Sequence, residues 1–576
     1  MAQVAVHEKV QPLVYYKSQD GRLHRDDAVT KAVELIQEGK IVAVKGLGGY
    51  HLAVDARNEA AVSRLRQRKR RYGKPLAVMM PNVDEVIKYC EMSDAEREIL
   101  ESQRAPIILL KQRRGGAQLA YSLTKGLDTI GVMLPYTPIH KMLLDRVGIP
   151  LVMTSGNISE EPICTSEEDA HARLKDVADG FLHHDRPIAN RIDDSVCFFA
   201  AGGIRMIRRG RGFAHEPITL DSPSAPILAC GAYYKNTFCL QSGKSAYVSH
   251  HIGDLDGTMT FNYFKEEIQK YINRYGILPR YVVRDLHPAY LSSQYADELG
   301  LPCLKIQQHH AHIASVMAEY GLKEKVLGIS YDGTGLGTDG NIWGAEFLLA
   351  DLKDFKRLGH LKYVPLPGGD LAIKQPFRTA LGFIYPNVQR FSEYVERIDG
   401  KQVEIILKQI DRKVNAPLAS SMGRLFDAVA SIIGIKDTVN YEGQAAMELE
   451  SLILPSDDCY SYTIEKEVDE YTIDVNRLLE ELYDDYISGT PKGIISAKFH
   501  NTVIQFTLDM AKRIRNAYGV DKVVLSGGCF QNRYLLEGLN RELQVEGFTV
   551  YIPTKMPIND GGIALGQAAI AATHFS

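Results

Sequence analysis

The apolar positions fall into short continuous runs set between stretches of helical spacing. IVAVK (41–45), PIILLK (106–111), PLVMTS (150–155), VLGISY (326–331) and KVVLS (522–526) are such runs, several closing on Gly, Ser or Asp. Runs of this kind read as strands covered on both faces. Between them apolar residues recur at helical intervals. One helix starts at Asp26 or Asp27 and runs to Gln37, with Gly39 as its stop. Another follows Asn58, a third stands behind the Ser93/Glu96 capping box, and a fourth spans about Met259 to Tyr275. The segment AYYKNTFCLQSGKSAYVSHH (232–251) predicts a strand pair turning at Ser242-Gly243. Strands alternating with helices predict an α/β protein. AHEPITLDSPSAP (214–226) carries Pro217, Pro223 and Pro226 among few apolar residues, so it reads as a linker between two α/β halves.

Chemistry-bearing residues gather at the ends of these elements. Ile306, His310, Ile313 and Met317 are spaced for one face of a helix that also carries Gln308, His309 and His312. Positions 308 and 312 lie one turn apart, as do 309 and 312, so either pair can face one ion. Asp332 then closes the strand VLGISY and opens the Gly-rich loop DGTGLGTDG. Ligand groups in α/β sheets sit at that strand end, and His with Asp beside a backbone cradle reads as a metal next to phosphate.

The first half offers groups for a large anion. Lys45 and His51 flank the glycines of GLGGYH. Six of the eight residues from Arg64 to Arg71 are basic, and Lys69 with Arg71 can clamp polyphosphate; a solvated helix end is the plainer reading of the same run. Ser155 and Asn157 follow the strand PLVMTS, RIDDSV (191–196) begins with Arg191, and IRRGRG (207–212) adds Arg208. In the second half, Gly423 and Asp427 share a helix, Gly527, Gly528 and Asn532 lie in SGGCFQN, and Asp560 precedes Gly561-Gly562.

Composition narrows the class. The chain has 576 residues, too many for one core, and 45% hydrophobic with 24% charged residues is a globular balance. A formal net charge of −4 provides no overall basic field for tRNA or membrane. No apolar run is long enough to span a bilayer, and the eight Cys are scattered without a C-x-x-C pair, which suggests a reducing, cytoplasmic setting.

The order KGLGGYHLAVDA, RKRRYGKPLAVM, TSGNISEEP, RIDDSV and IRRGRG resembles the YrdC-like domain, which binds ATP and forms an acyl-adenylate. LPGGDLAIKQPFR, SSMGRLFDAVA, YEGQAAMELE, SGGCFQNR and NDGGIALGQ resemble the TsaD-like domain of the HypF carbamoyltransferase family, of the actin/sugar-kinase/Hsp70 fold, and the likeness covers almost the whole chain. It implies residues 1–20 as the tail of a zinc-finger region, 21–213 as the YrdC-like domain, 214–226 as linker and 227–576 as the TsaD-like domain. It implies ATP, with Mg, in the first domain, held by Lys69, Arg71, Ser155, Asn157, Arg191 and Arg208. Lys45 and His51 there, and Lys235 and Asn236 in the second domain, are the implied catalytic residues. Gly423, Asp427, Gly527, Gly528 and Asn532 are the implied nucleotide contacts of the second domain.

The implied activity is ATP-dependent carbamoyl transfer, from carbamate or carbamoyl phosphate through carbamoyl-adenylate, to the C-terminal Cys of HypE in [NiFe]-hydrogenase maturation. Transfer to a small molecule or tRNA, and a catalytically impaired nucleotide-binding scaffold, are the alternatives. One divalent metal (Fe, Zn or Mn) is expected on His312, Asp332 and Asp560. Gln308 stands where the family usually carries His, so either Gln308 or His309 is the further ligand or metal affinity is reduced. Tyr233-Tyr234 replaces the family's usual Glu-Leu. The family's acylphosphatase domain and zinc-finger pairs have no counterpart in this sequence, so either a truncated chain or a domain-reduced homologue is expected, one that cannot free carbamate from carbamoyl phosphate.

Overall fold

The computed structural model describes residues 13–18 and 21–575, and they form two compact units. The first comprises residues up to 199 with 208–214, the second residues 200–207 with 215 onward. Most of the expected N-terminal zinc-region tail lies outside the described residues, but Val14–Ser18 forms a strand of the first unit's sheet.

The first unit is a mixed sheet covered by helices. Its strands are β1 (Val14–Ser18), β2 (Gly21–His24), β3 (Val42–Lys45), β4 (Tyr50–Asp55), β5 (Val78–Met79), β6 (Ile107–Lys111), β7 (Thr129–Met133), β8 (Leu151–Ser155), β9 (Gly180–His184) and β10 (Val196–Ala200). Their order is β10-β6-β7-β5-β8-β4-β3-β9-β1-β2. β3 and β4 form a hairpin, and β4 runs antiparallel to β8 with His51 opposite Ser155. That register sets the Gly46–Gly49 turn beside the 155–157 loop. The helix before β3 begins at Arg25 after His24, so Asp26 and Asp27 occupy its first turn, where the helix dipole favours them, rather than capping it. The Ser93/Glu96 capping box forms as expected. Val29, Ile36, Val42, Val44, Leu143, Met153 and Leu182 share the core of this unit.

The second unit holds β11 (Gly203–Arg208) for most of its length, together with two sheets. The smaller sheet has β12 (Ile218–Ala229), β13 (Cys239–Val248), β14 (Tyr281–Asp285) and β15 (Cys303–Ile306), in the order β13-β12-β14-β15. The stretch read as a linker is therefore largely strand. Pro217 stands just before β12, and Pro223 and Pro226 fall where the β12–β13 register shifts, between Thr219 and Ile227; irregular pairing is where a sheet tolerates proline. Ser242-Gly243 does not turn a hairpin either. β13 passes straight through it, and Gly243, at φ +56°, absorbs an irregularity instead.

The larger sheet contains β16 (Val326–Leu336), β17 (Ile342–Ala350), β18 (Phe355–Leu361), β19 (Val364–Pro365), β20 (Leu418–Ser421), β21 (Thr463–Glu467), β22 (Glu470–Asp474), β23 (Lys522–Ser526) and β24 (Thr549–Tyr551). Its main path is β21-β22-β18-β17-β16-β23-β24. β16 lies antiparallel to β17 and parallel to β23, with Ser330 opposite Ser526. DGTGLG is thus not a free loop. After a register shift between Tyr331 and Gly335, it continues as strand. The break leaves the Asp332–Thr334 backbone out of ladder register at the sheet's functional edge.

The helices Gln308–Tyr320 and Ile563–His574 pack at backbone distance. A Cβ on Gly566 would fall 1.8 Å from the Ala311 carbonyl oxygen. Gly566→Ala is expected to destabilise the second unit by about 3 kcal/mol, the upper range of overpacking costs, because the obstacle is backbone. A lowered urea midpoint with unchanged slope for that unit's transition is the check.

Candidate active sites

In the first unit the β3–β4 hairpin, the end of β8 and the end of the helix Glu59–Lys69 converge. Lys69 is buried, and its ammonium donates to the carbonyls of Ser155 (2.6 Å) and Asn157 (2.7 Å) and to the Asn157 side chain. Burial and the neighbouring Arg71 both push its pKa well below the usual lysine value. Arg71 donates to the carbonyl of Pro75. The expected trio Lys69, Ser155 and Asn157 is therefore one hydrogen-bonded cluster, with the basic run folded inward at its last turn. Lys45 is also buried, donating to the His184 carbonyl at 3.0 Å, and burial lowers its pKa. Arg191 lies in the loop before β10, and Arg208 ends β11.

His51 has a partner that the residue pattern did not single out. Its Nε2 lies 3.1 Å from Asp194 Oδ2, while Nδ1 has no partner. A Cβ on Gly46 would meet that Nδ1 at 2.9 Å, so the glycine leaves the ring room against the turn. Asp194 also accepts Arg211 Nε at 2.8 Å and the Tyr136 hydroxyl at 3.3 Å. The Arg211 guanidinium stacks 3.5 Å from the Tyr136 ring centre. Burial alone would raise the Asp194 carboxyl, but Arg211 and His51 hold it well below the carboxylate range. Asp194 stands two residues after Ile192 in RIDDSV; consecutive aspartates ahead of a strand were the available signal.

In the second unit, the helix Gln308–Tyr320, β16 and the turn before the final helix bring His312, Asp332 and Asp560 together. One ligand atom from each lies within 4.8 Å of the others. His312 Nε2 is 3.4 Å from both Asp332 Oδ2 and Asp560 Oδ1. These are ion-pair separations rather than formed hydrogen bonds, so both His312 nitrogens and Asp560 Oδ1 are buried without a partner. An imidazole and two carboxylates converging with orphaned donor atoms fit a divalent cation. Burial would lower the His312 pKa, yet Asp332 and Asp560 raise it to about 9. Burial would raise Asp332, and His312 pulls it low instead; Asp560 goes up through burial and the charge of Asp332.

Gln308 and His309 behave differently from the three. The Gln308 amide donates to Asp332 Oδ2 at 2.8 Å, so it buttresses a ligand candidate. His309 does not join the group. Its Nδ1 meets the Gln307 amide at 2.8 Å, and its ring lies over Gly335 near Trp343, where burial lowers its pKa to about 4.

Glycines let backbone crowd this centre. Gly527, at φ +112°, lies where a Cβ would meet the Tyr331 carbonyl oxygen at 2.3 Å, and the Gly528 amide donates to Asp332 Oδ1 at 3.2 Å. A Cβ on Gly423 would touch Gly333 Cα at 3.0 Å. Asp427 pairs with Arg424 at 2.7 Å, and burial raises its pKa to about 6. Asn532 is occupied internally: it caps the helix Arg533–Val545 and meets His500 at 2.8 Å. Lys235 pairs with Glu442; burial opposes its charge, while Glu442 and Asp560 raise its pKa. Asn236 turns its amide into the carbonyls of Cys230 and Ala232, which holds the loop carrying Lys235. Asp285, at the end of β14, was not foreseen. Its Oδ2 is buried without a partner, and burial, with the charge of Asp560, raises its pKa to about 7. Its place at a strand end before His287-Pro288 was the signal.

Residues 34–210 match the family described as "Telomere recombination" (Sua5/YciO/YrdC). Residues 222–319 match "HypF Kae1-like domain", and 328–567 match "Carbamoyltransferase, Kae1-like Domain, second subdomain". The carbamoyltransferase HypF of Synechocystis sp. is 40% identical over 573 residues, 96% of this chain and 74% of that protein. The crystal structure of full-length HypF in its phosphate- and nucleotide-bound form superposes with a TM-score of 0.96, at 55% identity over 98% of this chain and 74% of that one. Over 145 residues, 25% of this chain, a threonylcarbamoyl-AMP synthase of Mus musculus is 32% identical, across 51% of its own length.

Proposed function

The chain belongs to the HypF family of carbamoyltransferases, and from that premise we propose a two-step reaction. The first unit condenses carbamate with ATP into carbamoyl-adenylate, and the second transfers the carbamoyl group to the C-terminal Cys thiolate of HypE, toward the cyanide ligands of [NiFe]-hydrogenase. The observation that carries this reading is the presence of two chemically different sites, a buried lysine cluster and a His/Asp/Asp centre, one in each unit.

Carbamate is a poor electrophile, so its oxygen must first be given a good leaving group. In the first step that oxygen attacks the α-phosphorus of ATP, the P–O bond to the β-phosphate breaks and pyrophosphate departs. Lys45, Lys69 and Arg71 supply positive charge for the phosphates, with Arg191 and Arg208 as further anion contacts, and Mg would accompany ATP. The acceptors around Lys69 hold its ammonium in one place before substrate arrives, so little reorganisation accompanies the reaction. Asp194 fixes the His51 ring so that Nδ1 faces the glycine turn.

In the second step the thiolate attacks the carbamoyl carbon and AMP leaves through its phosphate oxygen. His312, Asp332 and Asp560 would hold one divalent metal (Fe, Zn or Mn), which when bound supplies Lewis-acid polarisation of the carbamoyl carbonyl. Gly333, Gly423, Gly527 and Gly528 admit the adenylate close to the main chain, and Asp427 is the candidate ribose partner. Lys235, oriented by the Asn236 loop and steadied by Glu442, faces the departing charge.

The test combines purified, metal-loaded protein, ATP, carbamate and HypE. AMP and pyrophosphate should form in equal amounts, and the last Cys of HypE should gain the mass of one carbamoyl group. Metal-loaded protein that forms neither product overturns the reading.

A further inference from the structure

A second group of ligand-type side chains lies in the first unit, apart from the Lys69 and His51 clusters. Glu167 and His171 stand one turn apart on the helix Glu167–Leu174, and β9 brings His183 to them. One ligand atom from each lies within 4.8 Å of the others. His183 is fully buried, and its Nδ1 meets the Tyr50 hydroxyl at 2.8 Å, which leaves Nε2 as the free nitrogen. That Nε2 has no partner, and neither has His171 Nε2, which lies 4.0 Å from Glu167 Oε1. Two buried imidazole nitrogens without partners are an unusual expense in a protein interior, and a bound cation removes it.

Two side chains now occupy the carboxylate. Glu167 accepts the Tyr15 hydroxyl at 2.6 Å and the Lys17 ammonium at 2.8 Å. The Lys17 side chain is 41% exposed, so it can swing into solvent without leaving a buried charge behind. Burial lowers the pKa of His171 and brings that of His183 to about 4, so both rings present lone pairs at neutral pH.

We propose that Glu167, His171 and His183 form a site for a borderline divalent cation of the zinc class, with water as the fourth ligand. Two imidazoles and one carboxylate are a donor set that zinc accepts in open tetrahedral sites. Ligand atoms around such an ion stand about 3.3 Å apart, given bond lengths of about 2.0–2.1 Å, so the group closes by small side-chain rotations. The Tyr50 hydroxyl fixes the His183 ring, as outer partners of metal-bound histidines do. His183 precedes His184, whose carbonyl anchors Lys45, so the cation steadies the strand that positions Lys45.

The test titrates tag-free, metal-stripped, full-length chain with Zn²⁺ by calorimetry, with Co²⁺ absorption reporting geometry. His171→Ala should bind one equivalent fewer than the native protein and lose one tetrahedral Co²⁺ band. Lys17→Met removes the charged competitor and should tighten the same equivalent about fivefold, the worth of a partly exposed ion pair. Equal stoichiometry in native and His171→Ala protein, or unchanged or weaker binding in Lys17→Met, overturns the proposal.

Discussion

Asp332→Asn should reduce carbamoyl transfer to the acceptor thiol at least about 10³-fold while ATP-dependent pyrophosphate formation continues, since the loss of a metal worth several kcal/mol of polarisation falls on the second step alone. The substitution keeps the shape of the side chain and reverses part of its hydrogen-bonding character. Asp332 receives the Gln308 amide on Oδ2 and the Gly528 amide on Oδ1, with His312 3.4 Å away. An asparagine must turn its NH₂ toward one of these donors, and it gives up the charge that raises the His312 pKa to about 9. A divalent metal held by His312, Asp332 and Asp560 would then face a weaker ligand and a displaced Gln308. Metal content of the purified variant, followed by separate assays of pyrophosphate release and HypE carbamoylation, checks the expectation. A variant that keeps its metal and transfers at the native rate would sink it.

The fold is legible in the sequence where one residue type has few alternatives. Apolar runs such as IVAVK and KVVLS could only be buried strands, and both are. Ser93 with Glu96 three positions on could cap a helix, and does. His312 and Asp332 read as a metal pair within one stretch of sequence, but Asp560 joins them from more than two hundred residues away through the family resemblance alone, because no local spacing relates a helix and a strand end to a distant turn. What pattern could not supply was the direction of a polar side chain among competing partners. Gln308 is an expected further ligand, but its amide donates to Asp332, and His309, one position along, is drawn over Gly335. Asn532 and Asn236 likewise spend their amides on the chain itself. Prolines in 214–226 signalled a linker because an irregular strand and a linker share the same composition. No local spacing relates Glu167 and His171 to His183, because their meeting depends on how one helix lies against β9.

Asp194→Asn should destabilise the first unit by about 3–5 kcal/mol, the cost of stranding a buried charge. Arg211 is nearly inaccessible, and Asp194 is its carboxylate partner at 2.8 Å. The remaining guanidinium donors reach the carbonyls of Arg104 and Ala105, which satisfy hydrogen bonds without neutralising charge. Asparagine can still accept from Arg211, so the loss would measure charge rather than contact. The sign with pH follows from the depressed carboxyl. Its contribution is fully present above the ordinary aspartate pKa of about 3.9 and fades as pH falls through the lower folded value, so the deficit of the variant should be constant near neutrality and close only in strong acid. The double variant Asp194→Asn/Arg211→Met should recover part of the loss, because a methionine can lie on the Tyr136 ring where the guanidinium stacks and leaves no charge unpaired. Hydrogen exchange of β8 and β10 amides under mild urea reads the first unit by itself. A double variant less stable than Asp194→Asn would mean that Arg211 serves this unit through packing and its carbonyl bonds rather than through its pairing with Asp194.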